Sequence, residues 1–315
     1  MFFFLISLIA SSIVRPHEEK SFVSWMKIQN LYYTGEEYHF RLGIFLTTLR
    51  FIKEHNAGNE KFKVDLNQFA AYTPAEYKSL LNAKPNINKG TAVKSTKKSN
   101  VDSFDWREKG VFNQVRYEFQ ACPANWAYVT VDAAEAVYAI ATGTHYLYSV
   151  QELIDCVIGC SGCKQGSVSA ALDYVINSQG GQFCLESDYP YSYSRESCLF
   201  SEFEHYGSIS SYINVVTGDK DDLSEKVQVG PVSAVIDASS VKFSYYSGGI
   251  FDDEFCKKAP TYHCVLCVGF GVENGIKYWI VRNTWGQFWG EDGYMRMSRD
   301  GYDCGITDSA ILPVV

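Results

Sequence analysis

The chain has 315 residues, 46% of them hydrophobic and 20% charged, and its 28 Lys and Arg against 36 Asp and Glu leave a formal charge of -8. These values describe a soluble globular protein of one large or two modest domains, expected as a monomer. The acidic balance, with no basic stripe interleaved with aromatics, excludes a nucleic-acid partner.

MFFFLISLIA followed by SSIVR is an apolar run leading into small residues. It is too short to span a bilayer and fits the apolar region of a secretory signal, although a basic leader is missing, so residues 1–12 are expected to be a cleaved signal peptide. Ten cysteines agree with an oxidising compartment, extracellular or lysosome-like. Cys160 and Cys163 have CxxC spacing, but no second pair follows at a zinc-binding interval, and neither a metal nor a cofactor is expected.

Residues 13–81 form an N-terminal module that is helical in character from Ser21 to Leu81. EEYHFRLGIFLTTLRFIKEHN spaces Phe40, Ile44, Phe45, Thr48, Phe51 and Ile52 as one amphipathic helix. A short alternating strand is expected in the stretch after it, and Thr73-Pro74 with Glu76 then forms a capping-box helix start. Residues 82–101 are polar, Lys-rich and nearly free of large apolar groups, which predicts an exposed linker. Beyond it, residues 102–315 divide by pattern. WAYVTVDAAEAVYAI (126–140) and Val168–Ile176 read as helices, whereas VSAVIDA, HCVLCVGFG, KYWIVRNTWG and GYMRMSR read as strands broken by Gly or Asn turns.

His263 opens one of those strands and Asn283 ends the next, so an imidazole and an orienting amide can meet there. With SFDWREKG, ELIDC, GCKQG, DYPY, YYSGGIF, YHCVLCVGFG, NTWGQFWGEDGY and CGI in order, the chain resembles the papain family, and its cathepsin-L-like branch in particular, over nearly its whole length. Glu37, Arg41, Phe45, Thr48, Ile52 and Asn56 follow the spacing of that family's inhibitory pro-helix, with Thr48 where Asn is usual. The resemblance implies an α+β, papain-like two-domain fold: a helical left domain and a β-barrel-like right domain, meeting at a cleft and preceded by an all-helical inhibitory pro-domain. It also implies disulfides Cys122–Cys163, Cys156–Cys198 and Cys256–Cys304. Cys160 and Cys184 are left over and available to pair with each other, while Cys264 and Cys267 read as buried small groups.

The family's nucleophile signature, Gln-Gly-x-Cys-Gly-Ser-Cys-Trp, aligns with EFQACPANW so that Cys122 matches the first cysteine, Trp126 the tryptophan, and Asn125 the nucleophile position. A carboxamide nitrogen has no useful nucleophilicity, so the expectation is a pseudoprotease. Cys122 is needed as the partner of Cys163 and is a poor substitute. The segment from Gly110 to Cys122 is one residue longer than usual, which leaves Glu118, Phe119 or Gln120 at the oxyanion position. A glutamate there repels an oxyanion and a phenylalanine cannot donate to one. Pro123 and Gln165 replace glycines, Gly166 is kept, and Trp285 is placed to shield the pair formed by His263 and Asn283. Three functions follow from this pattern. One is a binder of peptides, proteases or protease inhibitors, one is an unorthodox peptidase, and one is a precursor whose cleft its own pro-domain plugs permanently.

Overall fold

The computed structural model describes residues 14–86, 101–118, 121–256 and 260–315. The expected signal peptide, most of the expected linker, and Phe119 and Gln120 lie outside those residues.

The N-terminal module begins with α1 (Pro16–Ile28) and α2 (Gly35–Ala57), which cross over a small core of Phe22, Trp25, Phe45 and Leu46. Asn56 near the end of α2 donates to Val64 O (2.8 Å) and accepts from Val64 N–H (3.2 Å), which fixes β1 (Phe62–Val64) beside it. This strand answers the alternation seen in the sequence, and it corrects the expectation of an all-helical pro-domain, whose regular elements are three helices and one three-residue strand. Next comes α3 (Pro74–Leu80), where Thr73 Oγ1 accepts from Glu76 N–H and the Glu76 carboxylate returns to Thr73 N–H at 2.7 Å. Arg41 on α2 grips that same carboxylate at 2.5 Å and Glu37 at 2.6 Å, locking α3 to α2.

After β2 (Phe104–Asp105), a helical layer forms from α4 (Asn125–Thr142), α5 (Val150–Cys156) and α6 (Val168–Ser178). The second half holds β3 (Ser211–Asn214), α7 (Lys220–Val229), β4 (Val232–Asp237), α8 (Val241–Ser244), β5 (Tyr246–Phe251), β6 (Tyr262–Glu273), β7 (Ile276–Arg282), β8 (Tyr294–Ser298) and β9 (Ala310–Val314). Their mixed sheet runs β1-β5-β8-β7-β6-β4-β9-β3, with β2 also paired to β6. Among the described strand pairs, β5 and β8 alone run parallel. No described helix is long and apolar enough to cross a membrane.

Helical and sheet halves are joined through α4, which is buried along most of its length. Asp132 and Glu135 on its inner face receive Arg116 and Arg282: Arg282 Nε reaches Asp132 Oδ2 at 3.0 Å, Arg116 Nη2 reaches Glu135 Oε1 at 2.6 Å, and Arg116 also pairs with Asp132. Because Arg282 ends β7, the network fixes the helix start relative to the residue that follows, Asn283.

Disulfides join Cys122 to Cys163, Cys156 to Cys198 and Cys256 to Cys304. Two expectations need correction. Cys160 and Cys184 are both free and buried, because the first faces Ser167 O while the second packs against Phe200 O and Glu152. The expected linker also begins too early, since Asn82, Ala83 and Asn86 are buried against the cleft, held by hydrogen bonds and not by large apolar side chains.

β1 extends the sheet of the second half by pairing antiparallel with β5, Phe62 opposite Gly249. Gly249 has φ +88°, and a Cβ there would stand 2.6 Å from Lys61 O and 2.8 Å from Phe62 Cα. Gly249→Ala is therefore expected to cost about 1–3 kcal/mol and to loosen the N-terminal module selectively. Hydrogen exchange should accelerate at residues 61–64 while β6 and β7 stay protected; equal acceleration in all three strands would contradict the assignment.

Candidate active site

The first turn of a buried helix carries N–H groups without intrahelical acceptors, and Ala124, which precedes α4, has no side chain to cap them. Glu118 supplies the acceptor. Its carboxylate, buried beneath the cleft, takes the Ala124 and Asn125 N–H groups and the Thr284 hydroxyl (2.9 Å), and its own N–H donates to Thr284 O at 2.7 Å. Burial nonetheless dominates and raises its pKa to about 7, with those donors pulling the other way.

Asn125, the first residue of α4, is completely buried. Its Oδ1 accepts from Cys264 N–H at 3.2 Å, which fixes the orientation of the amide and aims Nδ2 into the cleft. There Nδ2 donates to Leu80 O (3.0 Å) and Asn82 Oδ1 (2.8 Å), with Glu118 Oε1 at 3.5 Å. Both of the first two partners belong to the N-terminal module.

His263 and Asn283 do meet. Asn283 Oδ1 accepts from Thr284 N–H at 2.8 Å, so it is also the acceptor in the 2.8 Å contact with His263 Nε2, and the imidazole carries its proton on Nε2. Burial lowers the His263 pKa to about 4, the Asn283 bond opposing, so the ring is neutral at ordinary pH. Its Nδ1 is then a bare acceptor, buried and without a hydrogen-bond partner among the described residues; the donors Asn283 Nδ2 and Trp285 Nε1 are likewise buried and unpartnered among those residues. The Trp285 ring lies 4.6 Å from the imidazole and shields the pair.

Residues of the N-terminal module fill the cleft. Phe69 meets Trp285 edge-on at 4.8 Å and Gln68 Nε2 donates to Trp285 O at 2.9 Å. Farther along, Ala83 N–H donates to Tyr262 O (3.1 Å) and Lys84 N–H to Gly166 O (2.8 Å), a parallel bridge across the cleft floor. Gly166 must lack a Cβ, which would meet the Trp126 indole at 2.4 Å. Gln165 is exposed and its carbonyl accepts from Ser161 N–H. Sequence reasoning missed Asn82, Leu80 and Thr284; the only prior signal was an isolated Asn at the edge of a polar tract.

No activated thiol is present. Cys122 is committed to its disulfide, and the free Cys160, Cys184, Cys264 and Cys267 are buried, which raises every one of their pKa values. Nor do the described residues contain a cluster of His, Cys, Asp and Glu able to hold a metal ion.

A helical half and a sheet half meeting at a cleft that the chain's own N-terminal segment fills define the class: a precursor of the cleft-peptidase type. Residues 100–314 match the papain family cysteine protease family and residues 22–77 the cathepsin propeptide inhibitor domain (I29). Pro-cathepsin H of Mus musculus is 34% identical over 97% of this chain and 93% of its own length. A cathepsin L-like proteinase of Phaedon cochleariae is 36% identical over 90% of each chain. Among solved structures, digestive procathepsin L 3 of Tenebrio molitor larval midgut superposes with a TM-score of 0.87 at 32% identity, covering 96% of this chain and 100% of that one. The chain belongs to the papain family of cysteine proteases, as a precursor that carries its own propeptide inhibitor domain.

Two opposed titrations lie side by side here. Glu118, raised from 4.5 to about 7, gives stability that is fully present below pH 4.5 and lost as pH rises through 7. His263, lowered from 6.5 to about 4, gives stability present above pH 6.5 and lost as pH falls through 4. In Glu118→Gln only the second remains, so the variant should lose stability on acidification more steeply than wild type and exceed it above pH 7 by up to about 3 kcal/mol. Denaturant midpoints across this range provide the check, and parallel pH profiles for the two proteins would contradict it.

Proposed function

We propose that this precursor is a pseudoprotease, exported through the secretory pathway to an extracellular or lysosome-like compartment, whose cleft binds peptide or protein segments without cleaving them. Proteases and protease inhibitors are candidate partners besides its own propeptide. One observation carries the reading: the residue that begins α4 beneath the cleft is Asn125, whose amide is engaged with Leu80 O, Asn82 and Cys264 N–H, while His263 Nδ1 has no partner among the described residues. In this reading Asn125 takes the nucleophile position, His263 the general-base position and Asn283 the orienting position. Glu118 lies at the amide groups that would otherwise receive an oxyanion. A bare imidazole with no thiol or hydroxyl to deprotonate starts no acyl transfer, and a buried carboxylate at those donors opposes negative charge on a substrate oxygen.

A permanently plugged precursor is the second reading, favoured by the number of hydrogen bonds that residues 80–86 make in the cleft. The two differ in whether the processed form exists in the native compartment.

Peptide hydrolysis by processed wild-type protein and by Asn125→Cys, from acid to neutral pH with a thiol-directed inhibitor as control, separates catalysis from its absence. Wild type is expected to be silent; loss of a nucleophile alone costs roughly 10⁶ in turnover in a serine protease. Asn125→Cys should acquire weak, inhibitor-sensitive hydrolysis, strongest at acid pH where Glu118 is protonated and can donate. Robust thiol-sensitive cleavage by wild type would sink the proposal.

A further inference from the structure

We propose that the cleft is an asparagine-reading site: it accepts an extended segment whose side-chain carboxamide docks on Asn125, Pro123 and Cys163 while the flanking backbone runs parallel to Gly166. The inference rests on the non-catalytic reading above, because it assigns Asn125 to recognition.

Asn82 is the resident occupant. Its Oδ1 accepts from Asn125 Nδ2 at 2.8 Å, and its Nδ2 donates to Pro123 O at 2.5 Å and to Cys163 O at 2.9 Å, with the residue buried. One donor and two acceptors thus face a group that offers one acceptor and two donors. The receptor groups are held in place beforehand. Cys264 N–H can only donate, so it forces Asn125 Oδ1 toward β6 and leaves Nδ2 facing the cleft. The two carbonyls come from loops stapled by the Cys122–Cys163 disulfide. On either side of Asn82, backbone contacts at Leu80 O, Ala83 N–H and Lys84 N–H set the direction and extended form of the segment without reading its side chains.

Chemistry makes the site selective. Aspartate is nearly isosteric but presents carboxylate oxygens to the Pro123 and Cys163 carbonyls, acceptor against acceptor, in a cleft already holding Glu118. Alanine leaves one donor and two acceptors unpaired. Glutamine carries the right groups on a stem one methylene too long for the distances seen. Once its own segment is displaced, the ligand class is an extended Asn-containing stretch of another protein or peptide, with small or apolar neighbours.

The test starts from the full chain with a specific protease site inserted between residues 87 and 100, cut so that both pieces stay together, and measures the dissociation constant of the N-terminal piece. Asn82→Ala should weaken binding about 10-fold and Asn82→Asp about 100-fold or more; with Asn125→Ala in the larger piece the Ala penalty should shrink, since one of its three lost contacts is already gone, whereas the Asp penalty, set by the Pro123 and Cys163 carbonyls, should persist. Free peptide YKSLLNAKPN, the sequence of residues 77–86, should displace the Asn82→Ala piece at concentrations at least 10-fold lower than YKSLLDAKPN. Hydrogen exchange of residues 78–86 in the uncut variants reports the same ranking if a cut complex does not hold together. Equal affinities for Asn, Asp and Ala at position 82, or no displacement by either peptide, would overturn the proposal. Mass spectrometry of the peptides after incubation keeps the two readings distinct, since cleavage products would count against the non-catalytic reading and not against Asn selectivity.

Discussion

The cleft is organised by the need to neutralise the start of a buried helix. At the first turn of α4 the amide N–H groups and the positive end of the helix dipole both face a region closed to water, and Ala124 offers no cap. Glu118 answers both requirements with one carboxylate, reinforced by the Thr284 hydroxyl. The rest of the site follows from that choice. Above about pH 7, where burial lets it ionise, that carboxylate excludes a second negative group, whether the developing charge of a reaction or the carboxylate of a ligand. What fits beside it is a neutral group with donors to spare.

Asn125 meets that condition, and it is chemically consistent with Glu118 and with His263. A thiolate at a helix start depends on positive potential from the dipole and from a neighbouring imidazolium. In this site burial holds His263 neutral and Glu118, where ionised above about pH 7, answers the dipole, so the potential that would sustain a thiolate is weakened. A carboxamide needs none of it. Its two ends are satisfied instead by Cys264 N–H on β6 and by Leu80 and Asn82 of the propeptide, making one side chain the joint between helix, sheet and propeptide.

What was legible in the sequence was local or carried by a dense resemblance. The apolar spacing in α2, the capping box at Thr73 and Glu76, and the alternation leading to β1 are encoded within a few residues of each other, and the structure contains the helix, the cap and the strand, although Phe40 is exposed and Leu42 and Leu46 share the buried face of α2 instead. The disulfide partners other than Cys160 and Cys184 came through motif order. Contacts made by small polar groups over long separations were not legible. Asn82 sits where composition predicts a linker, because composition weighs large apolar side chains and its burial depends on three hydrogen bonds. Likewise an inserted residue between Gly110 and Cys122 left three candidates for one position, and only the fold brings the Glu118 carboxylate to the Ala124 and Asn125 N–H groups.

Opposing forces act on the propeptide where it crosses the cleft. Phe69 and Tyr77 press on Trp285 and help close over His263 Nδ1, Asn283 Nδ2 and Trp285 Nε1, three buried atoms without partners among the described residues. An unpartnered buried polar atom costs about 1–3 kcal/mol, a penalty that water would relieve once the segment left. Hydrogen bonds from Asn82, Ala83, Lys84 and Asn86 hold the same segment in place. They come after Tyr77 in the chain, so the two ends of the segment are unequal: the aromatic end covers atoms that gain from exposure, and the asparagine end is matched group for group. Opening that begins at Phe69 and Tyr77 can therefore hydrate the imidazole while Asn82 stays bound, which separates access to His263 from release of the propeptide.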